Sequence, residues 1–471
     1  MTSTSLPASD NLGSRRYLAS LQADSNAAPN QHLLPLTATV TATDHLAIGG
    51  CDVVALVEQF GSPLYILDDH TLRTACRQYQ QSFERFYPGQ ALVLYASKAW
   101  SCLALCAIVA AEGLGVDVVS AGELMTAIEA GVNAEKIYFH GNNKAYAELE
   151  LALEVGCRVV VDNWLELKTL GEMATHQGKV VPILVRITPG IECHTHEYIR
   201  TGHLDSKFGF DPDQIESVFE FLATQPQLHC LGVHAHIGSQ IFELNPHVDL
   251  GGVMAGWLVT AQRYGLTLTE LDVGGGLGIR YTESDDPPSI EAWVKAVCDS
   301  VIAACQAEQI PLPRLLCEPG RSLIGPACVT AYRVGSQKEV PGLRTYVAVD
   351  GGMSDNPRPI TYQSVYRALV ANRMSEPLTE TVTLAGKHCE SGDILIQSAP
   401  LPALRAEDVV TIAATGAYNY SMASNYNRVP RPAAVLVKDG EAHLIIRRET
   451  LQDLLRQDCL PETLSRPFES P

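Results

Sequence analysis

The chain has 13 cysteines but no Cys-x-x-Cys pair, which removes the usual sequence basis for a structural zinc site or a redox dithiol. Cys102, Cys106 and Cys317 stand in apolar helix- or strand-like patterns where a thiol serves as a small hydrophobe, and this usage fits a reducing, cytoplasmic compartment. No apolar run approaches the roughly 20 residues that cross a bilayer. Basic residues are scarce: 34 Lys and Arg face 53 Asp and Glu, a net charge of −19. Such a surface repels polyphosphate backbones and anionic lipids, so neither nucleic acid nor membrane is expected as a partner. The first thirty or so residues lack the apolar core of a secretion signal. They are rich in Ser, Ala and Asn, with Arg15-Arg16 as their one basic pair, and residues 1–33 read as a disordered arm. Asp10 and Asp24 count against an organelle transit peptide without deciding the matter.

What is present is a long, well-packed globular pattern. At 471 residues with 46% hydrophobic side chains, two domains are the natural expectation. From Ala91 a short apolar strand, a turn and a helix recur, with strands expected at 91–96, 116–119, 137–140, 158–161, 182–187, 229–236, 270–273 and 314–317. Eight such units match a (β/α)8 barrel, with a doubly wound sheet as the alternative. From Ser322 the pattern turns to short alternating strands separated by Gly and Pro, an all-β, Greek-key-like domain. The expected division is a segment 34–68 lending a strand at 63–68 to the β domain, a barrel over 69–321, a β domain over 322–460 and a loose tail over 461–471.

A barrel puts its chemistry at the carboxyl ends of its strands. Lys98 follows the first strand, and a lysine at the mouth of an apolar strand is a desolvated amine that favours the neutral form able to condense with an aldehyde. His236 ends the sixth expected strand, with Ser239 just beyond. His234 is read as a hydrogen-bonded core histidine, while the planar ring of His236 could stack on an aromatic ligand. Gly274, Gly275 and Gly276 follow the seventh strand and could close on a phosphate, although a plain flexible turn has the same composition. They lack the Gly-x-x-x-x-Gly-Lys spacing of a nucleotide loop. Glu318 follows the eighth strand, where a buried carboxylate needs a cationic partner; a protonated pyridine nitrogen or Arg321 could supply it. Lysine, stacking ring, phosphate cradle and acid together describe a site for pyridoxal phosphate, an electron sink.

The resemblance is carried by Tyr95-Ala-Ser-Lys98, His140-Gly-Asn-Asn-Lys144, Asp205-Ser-Lys-Phe-Gly209, His236-Ile-Gly-Ser-Gln240, Asp272-Val-Gly-Gly-Gly276, Glu318-Pro-Gly-Arg321, Asp350-Gly-Gly-Met-Ser-Asp-Asn-Pro-Arg358, Cys389-Glu-Ser-Gly-Asp393 and Gly416-Ala-Tyr418. On these segments, which run from about residue 55 to 440, the chain resembles the fold-type III pyridoxal-phosphate decarboxylases, and among them the diaminopimelate decarboxylase family. It departs at Ser97 and Trp100, where that family more often has an apolar residue and an Asn. The resemblance implies decarboxylation of meso-2,6-diaminopimelate to L-lysine, the last step of lysine biosynthesis. Lys98 would hold the cofactor covalently, His236 would stack on its ring and Glu318 would face its ring nitrogen. Ser239 and the amides of Gly274, Gly275 and Gly276 would bind phosphate, with Tyr418 closing over the same region. Arg321, Arg358, Tyr362 and Glu390 would meet the distal end of the substrate, and Cys389 would donate a proton. Cys389 and Glu390 would come from the partner subunit of an obligate homodimer.

Physical chemistry suits that division. The distal carboxylate of a diaminodicarboxylic acid calls for planar guanidinium forks, and its ammonium calls for an acid. A decarboxylase of ornithine or arginine needs the acid but not the arginines. A racemase would need two opposed bases, which are not evident, and a catalytically silent relative would lack the lysine or the proton donor. A metal-dependent barrel would need a ligand cluster, and none stands out in the sequence. On its own, Cys389 reads as a buried inert thiol.

Overall fold

The computed structural model describes residues 8–18, 28–191 and 206–464. Asp205 of the Asp205-Ser-Lys-Phe-Gly209 segment, residues 1–7 and 19–27 of the arm and residues 465–471 of the tail lie outside them. The first five-residue strand, β1 (Leu64–Asp68), belongs to the second sheet. The barrel follows: β2 (Ala91–Ala96), β3 (Gly115–Val118), β4 (Ile137–Phe139), β5 (Arg158–Val161), β6 (Val181–Arg186), β7 (Leu228–His234), β8 (Glu270–Asp272) and β9 (Arg314–Cys317). Neighbours pair in parallel, and β9 returns to β2 through Leu315–Ala91 and Cys317–Val93, so the barrel closes. A doubly wound sheet is thereby excluded. Strand ends shift by one or two residues, and one shift matters: β7 stops at His234, leaving His236 in the loop beyond it.

Inward-facing Leu92, Leu94, Tyr138, Val160, Leu184 and Leu316 fill the barrel, so it has a packed interior rather than a pore. Its amino-terminal end is sealed by polar groups: the Tyr138 hydroxyl donates to Glu270 Oε2 at 2.9 Å, and Arg314 reaches Glu270 Oε1 at 3.3 Å. The carboxyl-terminal mouth is left for ligands. Between strands, helices start on side-chain caps that follow from the sequence. Ser120, Asn163 and Ser289 each accept a backbone N–H three residues ahead, and Asp68 does so for the helix Asp69–Phe86. That helix lays Leu72, Cys76, Tyr79 and Phe83 along one buried face.

The second domain is built on β10 (Cys328–Val340), whose first half pairs antiparallel with β1 and whose second half pairs with β11 (Arg344–Val349). β12 (Ala368–Val370), β13 (Glu380–Ala385), β14 (Ile394–Leu401), β15 (Val409–Ile412), β16 (Ala433–Lys438) and β17 (Glu441–Ile446) complete it. β1 is buried at all five positions between β10 and β16. A strand that precedes the barrel in sequence is thus central to the domain that follows it.

The arm departs from the expectation of disorder where it is described. Ser14, Tyr17 and Leu18 are buried, and Ser14 Oγ accepts the Val370 N–H at 3.3 Å. Asn30 is buried and donates its side-chain amide to the carbonyls of Gly278 and Pro288. Polar composition hid this because the anchors are two apolar side chains and two polar groups that satisfy backbone atoms. Among the described residues, no helix is long and apolar enough to cross a membrane.

Candidate active site

Lys98 sits in the short turn Ser97–Ala99 directly after β2, at the barrel mouth. Its Nζ lies 3.8 Å from Asp117 Oδ2, and Asp117, on β3, is almost fully buried. Burial by itself would lower the Lys98 pKa, but the charges of Asp117, Tyr418 and Glu318 reverse this and raise it. That corrects the sequence reading: the surrounding acids favour the ammonium, and desolvation does not free the amine unaided. Burial raises the Asp117 carboxyl despite His140 and Lys98.

Glu318, after β9, turns its carboxylate into the barrel. His140 Nε2 approaches Oε1 off-axis at 2.7 Å, and His234 Nε2 hydrogen-bonds Oε2 at 3.1 Å. Burial would raise the Glu318 pKa, yet the two imidazoles hold it well below the usual carboxylate range. Arg321, the other partner weighed for it, points elsewhere: it donates to Ser239 Oγ at 3.0 Å and to the Tyr281 hydroxyl at 2.7 Å. His234 is the hydrogen-bonded core histidine that alternation suggested. His236 lies one loop position further, and its Nδ1 accepts the Gly275 N–H at 3.1 Å. Burial, helped by the Lys98 charge, drives its pKa well down.

The glycine turn can hold no side chain. A Cβ on Gly275 would lie 2.3 Å from the Glu318 carbonyl oxygen, and Gly274 and Gly276 have φ of 64° and 120°. Two of its amides are already engaged, Gly274 N–H with Asp272 Oδ1 at 2.8 Å and Gly275 N–H with His236. The resemblance expects these amides and that of Gly276 to meet phosphate; in this structure Asp272 and His236 hold the first two.

One cavity of about 420 Å³ collects Lys98, His140, Arg186, His234, His236, Ser239, Glu318, Arg321, Arg358, Tyr362 and Tyr418. Arg358 opens the short helix Arg358–Tyr362 and is buried, donating to the Tyr366 hydroxyl at 2.9 Å and to Ser364 Oγ at 3.1 Å. Its guanidinium lies 5.4 Å from the Tyr362 ring centroid and 5.8 Å from that of Tyr418. Tyr418 adopts a φ of 60°, costly for a side chain of its size, and its N–H donates to the Ala99 carbonyl at 2.8 Å. The second domain is thereby pinned to the lysine turn. Cys389 and Glu390 are not brought to this cavity by their own chain: both are exposed, on the connection between β13 and β14, where the Cys389 N–H donates to Asn427 Oδ1. Sequence reasoning missed Asp117, His140 and Arg186 as members of the site. The available signal was a lone charged or imidazole side chain at the end of an apolar barrel strand.

A buried, ionised acid, a strand-end lysine and a side-chain-free turn in one cavity suit pyridoxal phosphate: an anion for a ring cation, an amine for an aldehyde and space for a phosphate. A barrel bearing this set and continued by a β domain defines the class of barrel-type pyridoxal-phosphate enzymes. The model of the pyridoxal-dependent decarboxylase pyridoxal binding domain matches residues 70–325. The chain is 64% identical over 452 residues to a diaminopimelate decarboxylase of Synechocystis sp., covering 94% of this chain and 96% of that protein. It is 46% identical over 430 residues to that of Bacillus subtilis, covering 88% and 95%. A crystal structure of diaminopimelate decarboxylase from M. jannaschii in co-complex with L-lysine matches with a TM-score of 0.85 at 31% identity, covering 93% of this chain and all of that one. The chain belongs to the diaminopimelate decarboxylase family.

Proposed function

We propose that this protein removes one carboxylate of meso-2,6-diaminopimelate, giving L-lysine and carbon dioxide, with pyridoxal phosphate as cofactor. The observation that carries the reading is that Arg321 and Arg358 share the cavity of Lys98 and Glu318. A substrate with a carboxylate at its far end gives these two cations a partner, which a simple basic amino acid would not. When bound, the cofactor supplies an electron sink for the charge left as carbon dioxide departs.

The chain's own groups do the rest. Lys98 Nζ would hold the cofactor, with the His236 ring against its ring face and Glu318 towards its ring nitrogen. Ser239 and the amides of Gly274, Gly275 and Gly276 would take the phosphate, in a turn whose lack of side chains keeps the space clear. Arg321 and Arg358 bind the distal carboxylate, and Tyr362 and Tyr418 wall the cavity. Glu390 of a second subunit would take the distal ammonium, and Cys389 beside it would hold on its Sγ–H the proton that the substrate carbon needs. The working unit is therefore a homodimer with shared sites. The same reading divides each chain into a barrel over 69–321 and a β domain over 322–460, and places the enzyme in the cytoplasm. The test is a substrate panel on reconstituted protein. Carbon dioxide and L-lysine should form from meso-diaminopimelate, with ornithine, arginine and lysine at least about a hundredfold poorer. Turnover of ornithine or arginine in preference would overturn the assignment.

A further inference from the structure

His140 and His234 have no role in the scheme above, yet they are buried in the barrel mouth against the acid it depends on. They come from different strands, His234 at the end of β7 and His140 just after β4. Their rings stand at 69° to each other with centroids 4.8 Å apart, one at each oxygen of Glu318. Two histidines and a carboxylate also resemble a metal site. However, ligand atoms around a tetrahedral ion at about 2.1 Å stand about 3.4 Å apart. The 2.7 Å between His140 Nε2 and Glu318 Oε1 is too close for that. The contacts are those of a carboxylate gripped from two sides.

The grip has a particular electrostatic character. His234 Nδ1 is buried without a hydrogen-bond partner among the described residues. A second proton on that ring would be an unpaired buried N–H, so His234 is held as the neutral Nε2–H tautomer. Burial outweighs the pull of Glu318 and brings its pKa down to about 4. A neutral donor orients and stabilises the anion without neutralising it, whereas a guanidinium in the same place would compete with a ring cation for it. The other charged or titratable groups around Glu318 are Asp117 and His140 across the mouth, Asp272 on β8, Arg186 on β6, and Lys98 and His236 towards the ligand. Burial raises Asp117, and burial together with the Glu318 charge pushes Asp272 well above the usual carboxylate range, so Glu318 is the acid of this cluster that the two imidazoles keep ionised.

We propose that His140 and His234 are positioning residues that clamp Glu318, fixing its carboxylate towards the cofactor's ring nitrogen. The clamp rests on the reading of Glu318 given under the proposed function, and the two can be tested apart. His140→Leu and His234→Leu are compared with wild type, His234→Gln and Glu318→Gln, each checked for thermal unfolding. Three quantities are read: cofactor Kd from titration of the apoprotein, the pH midpoint of the bound cofactor's visible absorbance, and kcat with KM for diaminopimelate. Losing its hydrogen bond to a buried charge predicts a fall in kcat of about ten- to hundredfold in His234→Leu, and losing the off-axis contact predicts a smaller fall in the same direction in His140→Leu. The absorbance midpoint should fall by about one pH unit or more, with KM unchanged within about twofold. His234→Gln, which restores an N–H donor, should recover part of both effects. A purely structural role would lower thermal stability without moving the midpoint.

Folded Leu variants with wild-type kcat, cofactor Kd and midpoint overturn the clamp. If Glu318→Gln collapses activity while the Leu variants are silent, the clamp alone is wrong; if Glu318→Gln is itself silent, the reading of Glu318 fails. Should the Leu variants not fold, ¹⁵N-histidine NMR of the wild-type protein decides. A neutral His234 with its proton on Nε2 at pH 7 supports the clamp, and an Nδ1–H tautomer or a cation overturns it.

Discussion

Gly275→Ala tests whether the glycine turn exists for close packing against the acid. Gly275 does not need a left-handed backbone, so the perturbation is one methyl group. That methyl would lie 2.3 Å from the Glu318 carbonyl oxygen and 3.0 Å from its carbon, where ordinary contact begins near 3.4 Å. Something must move by about 1 Å, and neither side can move alone, because the Glu318 N–H donates to the Gly274 carbonyl at 2.8 Å. Overpacking of this kind costs about 1–3 kcal/mol. At about 1.4 kcal/mol per tenfold, a central 2 kcal/mol falling on the ligand-ready state weakens cofactor binding about thirtyfold. A displacement of about 1 Å in Glu318 should also cost about a hundredfold in kcat. The control is Gly256→Ala in the helix Asn245–Arg263, where an added Cβ meets nothing within 4 Å, so affinity and turnover should be unchanged and stability should rise slightly. Equilibrium titration with pyridoxal phosphate and carbon dioxide release on both variants make the comparison. A Gly275→Ala protein with wild-type affinity and turnover would refute the packing argument.

Arg358→Lys should reduce kcat/KM for diaminopimelate by about a hundredfold, since a point charge cannot hold both the Tyr366 and Ser364 contacts and a substrate carboxylate. An unchanged kcat/KM removes Arg358 from recognition. Lys98→Ala and Cys389→Ala homodimers should each be inactive or nearly so. Mixing them through mild denaturation and refolding should restore about a quarter of wild-type activity, because half the dimers form with one intact site of two; no recovery argues against sites shared between subunits. His247 is buried edge-on to Trp293 with neither ring nitrogen partnered among the described residues, and burial lowers its pKa to about 4. The unfolded chain, near 6.5, takes up the proton first, so the stability from the neutral ring is full above about pH 6.5 and is lost as pH falls towards 4. Denaturant titrations at pH 7 and pH 5 should show His247→Phe gaining on wild type by about 2 kcal/mol at the lower pH; a gap that does not change with pH rules this out.

The barrel was legible because short apolar runs alternate with turns and helix-like segments eight times over, and a shift of a residue at a strand end leaves the closure intact. The residues at the carboxyl ends were legible for the same reason: Lys98, Ser239, Glu318 and the glycine run follow strands whose position was clear. Less legible were groups whose meaning depends on what lies across the barrel. Asp117 is one acid in an apolar strand until His140 and Lys98 are placed 3.8 Å from it. The protonation of Lys98 was misjudged because sequence reports its apolar strand but not the acids facing it. The partners that hold the amides of Gly274 and Gly275 in this structure, Asp272 and His236, are likewise invisible to a reading of the glycine run alone. Ser14 and Asn30 were hidden in a polar arm because their partners, Val370, Gly278 and Pro288, lie hundreds of residues away in sequence.

Trapping the cofactor on the protein addresses the central claim most directly. Protein reconstituted with pyridoxal phosphate is reduced with borohydride, digested and mapped by mass spectrometry. The expected result is a stoichiometric phosphopyridoxyl modification on the peptide containing Lys98, absent from Lys98→Ala. A modification confined to other lysines, or none in protein that releases carbon dioxide from diaminopimelate, would contradict it.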